Sequence, residues 1–253
     1  MYLLESCVIA ISMYSKIPMP RVEWKEKNMK YAMCFFPLVG CVNGILVFGL
    51  GNFLSRLGTG KLFFAVAMTL LPLLVTGGIH MDGYMDTLDA LNSYGDKEKK
   101  LAILKDPHAG AFAVLGLAVY LLWSVALWSE VSPKLLPVVA WGYVLSRGLS
   151  GLSVVAFPAA RESGLAKTFQ DGAKRRTVGI TMVVWLLGAA AAVLWYSPLL
   201  GAAALLAAAL VFCYYRGMCK RKFGGITGDL AGYFLQVCEL AVLTVAVLVG
   251  GIL

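Results

Sequence analysis

The sequence predicts an all-α protein, a polytopic membrane bundle of about seven transmembrane helices that forms one domain over residues 1–253. Hydrophobic residues make up 60% of the chain and charged residues 14%, whereas a soluble domain carries about 25% charged residues. Apolar runs long enough to cross a bilayer recur along the chain, and one bundle accounts for its whole length. The segments between these runs are too short for a nucleic-acid-binding domain, so the expected surroundings are the lipid bilayer.

The apolar runs place the elements in order. An apolar piece at residues 8–13 is too short to span and is expected to lie in the interface or to tuck into the bundle. Pro18 and Pro20 then break any helix. The second of the predicted spans is expected to deliver the chain directly to Asp82. Seven spans are predicted, at about residues 32–54, 62–79, 109–128, 135–157, 178–196, 199–215 and from Asp229 onwards.

The positive charges alternate between loops. Most of the 22 Lys and Arg residues fall within residues 1–32, 82–108, 158–176 and 214–229, and the formal net charge is +8. Cytoplasmic loops carry an excess of Lys and Arg, which also suits anionic lipid. The bias predicts a multi-pass protein of the cell membrane. Its N-terminus and these basic segments would face the cytoplasm, and its C-terminus would lie outside.

Three aspartates form a row where the second span ends. Asp82, Asp86 and Asp89 stand at i, i+4 and i+7, within an arc of roughly 60° on a helix. Their carboxylates repel one another, and beside a low-dielectric region a hard cation would neutralise them. Oxygen ligands without cysteine suit Mg²⁺ or Mn²⁺. The spacing therefore favours a metal site over the alternative, a solvated acidic helix face.

The two histidines of the chain, His80 and His108, lie on either side of this row. Without a third His or Cys they are poor zinc ligands. Support of a metal ligand, contact with substrate and plain packing remain as roles for each of them.

A second polar group begins at the glycine-rich loop of residues 223–229. Glycine allows close backbone approach, and a helix N-terminus presents free N–H groups to an anion. A phosphate site is favoured by the preceding Lys220, Arg221 and Lys222, although a flexible connector would carry the same glycines. Asp229, Tyr233 and Gln236 again stand at i, i+4 and i+7 and would form a second polar stripe.

Together these groups indicate a metal-dependent reaction on a phosphorylated substrate at the cytoplasmic surface. Arg161 and Lys167 add cations on the same side. Two other functions use the same residues. One is a lipid CDP-alcohol phosphotransferase. The other is an ion-coupled transporter, whose ion path would be formed by Asp82, Arg147, Asp229 and Glu239.

Two charges lie deep in apolar segments. Arg147 is about ten residues inside the fourth span and Glu239 about ten residues inside the seventh, so both would lie roughly 15 Å from the cytoplasmic surface. A lone charge at this depth is costly, so each should face the bundle and find a partner. Their matched depth predicts that they pair, as a structural strut beneath the site.

These motifs resemble those of the cobalamin synthase family, the adenosylcobinamide-GDP ribazoletransferases. The resemblance covers nearly the whole chain, and its combination of two long motifs in order is highly specific. The matching segments are SKIP at residues 15–18, FPLVG at 36–40, GGIHMDGYMDTLD at 77–89, KDPHAG at 105–110, Arg161 with Gly164 and Leu165, and GGITGD at 224–229 with Glu239.

The resemblance implies a reaction and a set of site residues. The 3′-hydroxyl of α-ribazole, or of α-ribazole 5′-phosphate, would attack the cobinamide-bearing phosphorus of adenosylcobinamide-GDP, GMP would leave, and Mg²⁺ would be the cofactor. Asp82, Asp86 and Asp89 would be metal ligands, and these aspartates and the neighbouring His80 would be the catalytic residues. A homo-oligomer is compatible with this interpretation. Asp106 and Asp229 are further candidate ligands, and the candidate substrate-binding residues are Arg161, Lys167, Gly225, Thr227, Gly228, Lys105 and His108.

Overall fold

A computed structural model describes residues 2–252, with backbone alone for residues 165 and 166. The described residues form twelve α-helices, which turns and loops connect. A single isolated β-bridge among them pairs Ala159 with Ile226. The helices are α1 (Tyr2–Tyr14), α2 (Glu26–Ala32), α3 (Phe36–Arg56), α4 (Lys61–Thr76), α5 (Ile79–Asn92), α6 (Lys97–Ile103), α7 (Ala111–Glu130), α8 (Leu136–Ala156), α9 (Leu165–Gly172), α10 (Arg175–Tyr196), α11 (Pro198–Met218) and α12 (Gly228–Gly250).

The prediction of an all-α polytopic bundle is confirmed. Within residues 2–252, six helical segments are long and apolar enough to cross a membrane, and the bent pair of α4 and α5 raises the number to seven if it forms one crossing. Helix α1, with 13 residues, falls short of a span, as its apolar length predicts. It packs instead against α2 and α3.

The second predicted span ends earlier than expected, and this prediction is corrected. Helix α4 stops at Thr76, and the chain turns by 96° before α5 begins at Ile79. Gly77 and Gly78 make the turn with φ values of 65° and 79°, which only glycine adopts without strain. The apolar run through residues 73–79 hides this break. The aspartate row therefore lies on a separate helix that leaves α4 at an angle.

Helices α8 and α12 form the centre of the bundle. Helix α8 packs against α3, α10 and α12, and α12 packs against α5, α8 and α11. The contact between α3 and α8 is close because Gly40 and Gly44 of α3 face the backbone carbonyls of Tyr143 and Ala140. Small residues at helix interfaces allow such approach in membrane proteins.

The predicted pairing of the two deep charges is confirmed. The Arg147 Nη1 of α8 donates a hydrogen bond to Glu239 Oε1 of α12, and both side chains are buried. Ser146 Oγ donates to the same Glu239 oxygen at 3.0 Å, and Arg147 Nη1 also reaches Ser146 Oγ at 3.0 Å. The pair is therefore a polar link between the two central helices.

Candidate active site

The aspartate helix α5 touches the first turn of α12 through two glycines. A Cβ at Gly83 would lie 2.7 Å from the carbonyl oxygen of Asp229, and one at Gly232 would lie 3.0 Å from that of His80. Only glycine permits this backbone contact. It brings Asp82 and Asp86 beside Asp229, so the two polar stripes of the sequence meet. A glycine between acidic residues of a helix is the signal that sequence reasoning overlooked.

The negative charges concentrate around Asp86. Repulsion at its carboxylate comes from Asp82, Asp229, Asp89 and Asp106, in decreasing order. Asp82 is exposed, whereas Asp86 and Asp229 are half-buried. Five carboxylates thus gather where α5, α12 and the loop before α7 meet, which is one end of the bundle.

Asp89 differs from the other two aspartates of α5 because it caps a neighbouring helix. Its Oδ2 accepts a hydrogen bond from the Gly110 N–H at 2.6 Å, and its Oδ1 accepts one from the Ala113 N–H at 2.9 Å. Both donors belong to the start of α7, where free N–H groups need acceptors. Asp89 therefore fixes α7 against α5, a structural contact that the expected metal-ligand role did not anticipate.

The remaining carboxylates fit a hard divalent cation by their chemistry. Oxygen donors of this kind suit Mg²⁺, and their mutual repulsion favours a cation among them. As the side chains stand in the described part of the chain, no three His, Cys, Asp or Glu residues form a ready metal site. Binding of an ion would have to draw Asp82, Asp86 and Asp229 together.

A pocket of about 190 Å³ adjoins the carboxylates at Asp229. The predicted substrate-binding residues Arg161, Lys167, Thr227 and Gly228 all line it. Thr227 caps α12, because its Oγ1 accepts a hydrogen bond from the Leu230 N–H at 3.2 Å. The structure thus places two cations and a helix N-terminus on one cavity, next to an aspartate of the acidic group.

Gly225 lies in close backbone contact with a second loop. A Cβ there would lie 2.5 Å from the Pro158 carbonyl oxygen. The next residue, Ile226, exchanges backbone hydrogen bonds of 2.9 Å with Pro158 and Ala160. Gly225 is therefore needed for the pairing of two loops, and it does not line the pocket; its contact with substrate stays a prediction.

Both cations of the pocket also form hydrogen bonds with other residues of the protein. Arg161 donates a hydrogen bond from Nη2 to the carbonyl oxygen of Leu101 in α6, and Asp229 supports its positive charge. Lys167 Nζ lies 2.5 Å from Asp171 Oδ1, one turn further along α9. These contacts restrain the two side chains at the wall of the pocket.

Asp106, His108 and Lys105 lie on the exposed loop between α6 and α7, outside that pocket. The His108 N–H and ring Nδ1 lie 3.0 and 2.7 Å from Asp106 Oδ1. These hydrogen bonds, that of the backbone first, hold the pKa of the Asp106 carboxyl below its ordinary value. The loop therefore carries an aspartate–histidine pair at the edge of the carboxylate group.

His80 is buried at 3% exposure and does not join the carboxylates. Its ring lies 6.0 Å from that of Tyr14 and 6.3 Å from that of Phe36. The structure thus surrounds His80 with aromatic rings, and its catalytic role stays a prediction. Its place on α5, facing away from Asp82 and Asp86, gives it a packing role.

Fold and site define a polytopic membrane protein whose carboxylates meet a pocket lined by two cations at one end of the helix bundle, as expected of an enzyme that acts on phosphate esters. The family model for cobalamin-5-phosphate synthase matches residues 6–247. The chain belongs to this family.

Curated relatives agree with the family match. The chain is 46% identical over 253 residues to the adenosylcobinamide-GDP ribazoletransferase of Lachnoclostridium phytofermentans, with 99% of this chain and 96% of the relative covered. It is 33% identical to proteins of that name from Clostridium perfringens strain SM101, covering 91% and 92% of the two chains, and from Pseudomonas savastanoi, covering 93% and 96%. No solved structure matches. The transporter and lipid phosphotransferase alternatives are not favoured.

Proposed function

We propose that this protein is an adenosylcobinamide-GDP ribazoletransferase. It joins α-ribazole, or α-ribazole 5′-phosphate, to the phosphocobinamide group of adenosylcobinamide-GDP and releases GMP. The observation that carries the proposal is the contact between α5 and α12 at Gly83, because it sets the acidic residues Asp82 and Asp86 against the cation-lined pocket that begins at Asp229. A diphosphate can lie across this boundary.

The residues of the pocket bind and orient the diphosphate. Arg161 and Lys167 offer positive charge to the phosphate that leaves with GMP, and Gly228 leaves open space at the first turn of α12. Free N–H groups of that turn also favour an anion. Charge that develops on the leaving phosphate is thereby stabilised, an effect for which removal of one donor typically costs about 10²–10³ in rate.

The carboxylates serve the attacking hydroxyl. Asp82, Asp86 and Asp229 would hold Mg²⁺, which when bound neutralises the diphosphate and polarises the reacting phosphorus. A carboxylate of this group takes the proton of the 3′-hydroxyl. The hydroxyl oxygen then bonds to the cobinamide-bearing phosphorus, and the bond between this phosphorus and the oxygen of GMP breaks. General-base assistance of this kind contributes about 10²–10⁴ in rate.

The reaction centre lies on the cytoplasmic side in this proposal. The basic segments of residues 82–108, 158–176 and 214–229 border the site, and Lys and Arg accumulate in cytoplasmic loops. Nucleotide substrates are also available there. Beneath the site the Arg147–Glu239 pair neutralises the two deepest charges, which argues against an ion path.

Protein purified in detergent and returned to lipid tests the proposal. With Mg²⁺, adenosylcobinamide-GDP and α-ribazole it should release GMP and form adenosylcobalamin in equal amounts. The Asp82→Asn and Asp86→Asn variants should lose at least a hundredfold in rate, whereas Glu130→Gln, which removes an exposed carboxylate at the far end of α7, should keep the wild-type rate. Normal turnover in both Asn variants would refute the site, and absence of GMP release by the wild type would refute the reaction.

A further inference from the structure

Lys100 of the short helix α6 is buried, which is uncommon for lysine. Only 7% of the residue is exposed. Its Nζ donates hydrogen bonds to the carbonyl oxygens of Ala90 at 2.7 Å, Leu91 at 3.2 Å and Ser93 at 2.7 Å. An ammonium has three N–H donors, and each of them here meets one acceptor. All three donors of the side chain thus bind one segment, residues 90–93.

That segment is the end of the aspartate helix. Helix α5 ends at Asn92, so its last carbonyl oxygens lack partners within the helix. They also form the negative end of the helix dipole, where a cation is favourable. Burial lowers the pKa of Lys100, and the neighbouring cations Lys222 and Lys99 lower it further. Hydrogen bonds to the three carbonyl oxygens favour the charged form of the side chain.

Helix α6 also contacts the substrate pocket on its other side. The residue after Lys100, Leu101, accepts the hydrogen bond of Arg161 through its carbonyl oxygen. Leu104, just beyond α6, lines the pocket together with Arg161 and Asp229. The seven residues of α6 therefore hold the aspartate helix at one position and the pocket arginine at the next.

The other lysines of α6 have a different environment. Lys97 and Lys99 are exposed, and neither side chain donates a hydrogen bond among the described residues. Exposed lysines of this kind are explained by the excess of Lys and Arg that cytoplasmic loops carry. Lys100 carries the same charge but is directed inward at the end of α5, which sets it apart from them.

We propose that Lys100 is a positioning residue for the transfer reaction. It fixes the last turn of α5, and through Leu101 and Arg161 it sets the carboxylates of α5 in register with the cations of the pocket. This inference rests on the proposed function, because the register matters only if a diphosphate spans both groups. Lys100 touches neither substrate nor metal in this account.

Three variants test the inference. Lys100→Met removes the charge and all three donors at similar length, Lys100→Arg keeps the charge and donors, and Lys99→Met removes an equal charge from an exposed position of the same helix. GMP release is measured against the concentrations of adenosylcobinamide-GDP and Mg²⁺. Hydrogen–deuterium exchange of the peptide covering residues 88–94 is followed in the same preparations.

Lys100→Met should raise the KM for adenosylcobinamide-GDP and the half-saturating Mg²⁺ concentration at least threefold, and lower kcat at least tenfold. Exchange at the end of α5 should become at least tenfold faster. Lys100→Arg should recover most of both properties, and Lys99→Met should match the wild type. A residue that only supports folding would lower the amount of active enzyme and leave KM and the Mg²⁺ requirement unchanged.

Unchanged KM and Mg²⁺ requirement in Lys100→Met would therefore overturn the inference, and so would unchanged exchange at residues 88–94. If Lys100→Met does not insert into the membrane, Lys100→Gln, which keeps two donors without charge, is judged by the same criteria. A wild-type protein without GMP release would refute the proposed function instead. In that case exchange in the variants still decides whether Lys100 fixes the end of α5.

Discussion

Removal of one partner of the Arg147–Glu239 pair should destabilise the bundle more than removal of both. Glu239→Leu leaves the Arg147 guanidinium in a site where its side chain is 1% exposed. Ser146 Oγ lies near the guanidinium but cannot neutralise it. Among the described residues Arg147 Nε already lacks a hydrogen-bond partner. The stranded cation would thus have neither a counter-charge nor water.

The size of the effect follows from the burial of both groups. Breaking a buried ion pair from one side costs about 3–5 kcal/mol, whereas replacing both partners by apolar residues is often neutral or stabilising. For a chain of this length 1 kcal/mol corresponds to about 2–4 °C in Tm. Glu239→Leu should therefore lower Tm by roughly 6–20 °C. Arg147→Met combined with Glu239→Leu should return it to within about 4 °C of the wild type.

A thiol-reactive fluorescent dye can follow unfolding in detergent, because all six cysteines are free and Cys34, Cys219 and Cys238 are buried. Glu130→Gln controls for the loss of a carboxylate as such. A double variant as unstable as Glu239→Leu would refute the argument, since the damage would then come from lost packing or hydrogen bonds and not from an uncompensated charge.

Four further predictions concern the site and the topology. Asp89→Ala should lower the free energy of unfolding by about 0.5–2 kcal/mol through loss of the α7 cap, measured by the same dye assay; no change would mean that the cap is unimportant. Gly83→Val should abolish GMP release from inserted protein by separating α5 from Asp229, and full activity would contradict that contact. Gly228→Ala should weaken binding of adenosylcobinamide-GDP without loss of Tm, whereas Gly225→Ala should lower Tm. A lower Tm in Gly228→Ala and weaker binding in Gly225→Ala would contradict the roles given to these two glycines. A reporter fused after residue 253 should be active only outside the cytoplasm, and a cytoplasmic signal would change the number of spans.

Much of the fold was predictable because hydrophobicity dominates it. Apolar length located the spans, and depth along two of them paired Arg147 with Glu239. Periodicity placed Asp82 and Asp86 on one helical face and predicted a second polar stripe from Asp229. These inferences need only local sequence and the thickness of a bilayer, which is why the structure agrees with them.

The remaining features depend on contacts between distant segments. The turn at Gly77 and Gly78 lies within an apolar run, so composition alone extends the span through it. Helical spacing shows which face Asp89 occupies, but not that the start of α7 meets that face. The need for glycine at position 225 arises from backbone pairing with residues 158–160, and Lys100 is indistinguishable in sequence from the exposed lysines around it.

Binding of a divalent ion tests the central claim about the site most directly, and it requires no substrate. Mn²⁺ can replace Mg²⁺ among oxygen ligands, and the electron paramagnetic resonance signal of free Mn²⁺ falls as the ion binds. Titration of the wild type and of Glu130→Gln should show saturable binding. Asp82→Asn, Asp86→Asn and Asp229→Asn should each weaken it at least tenfold. Equal binding by the wild type and all three variants would contradict the assignment of these carboxylates as the metal-binding centre.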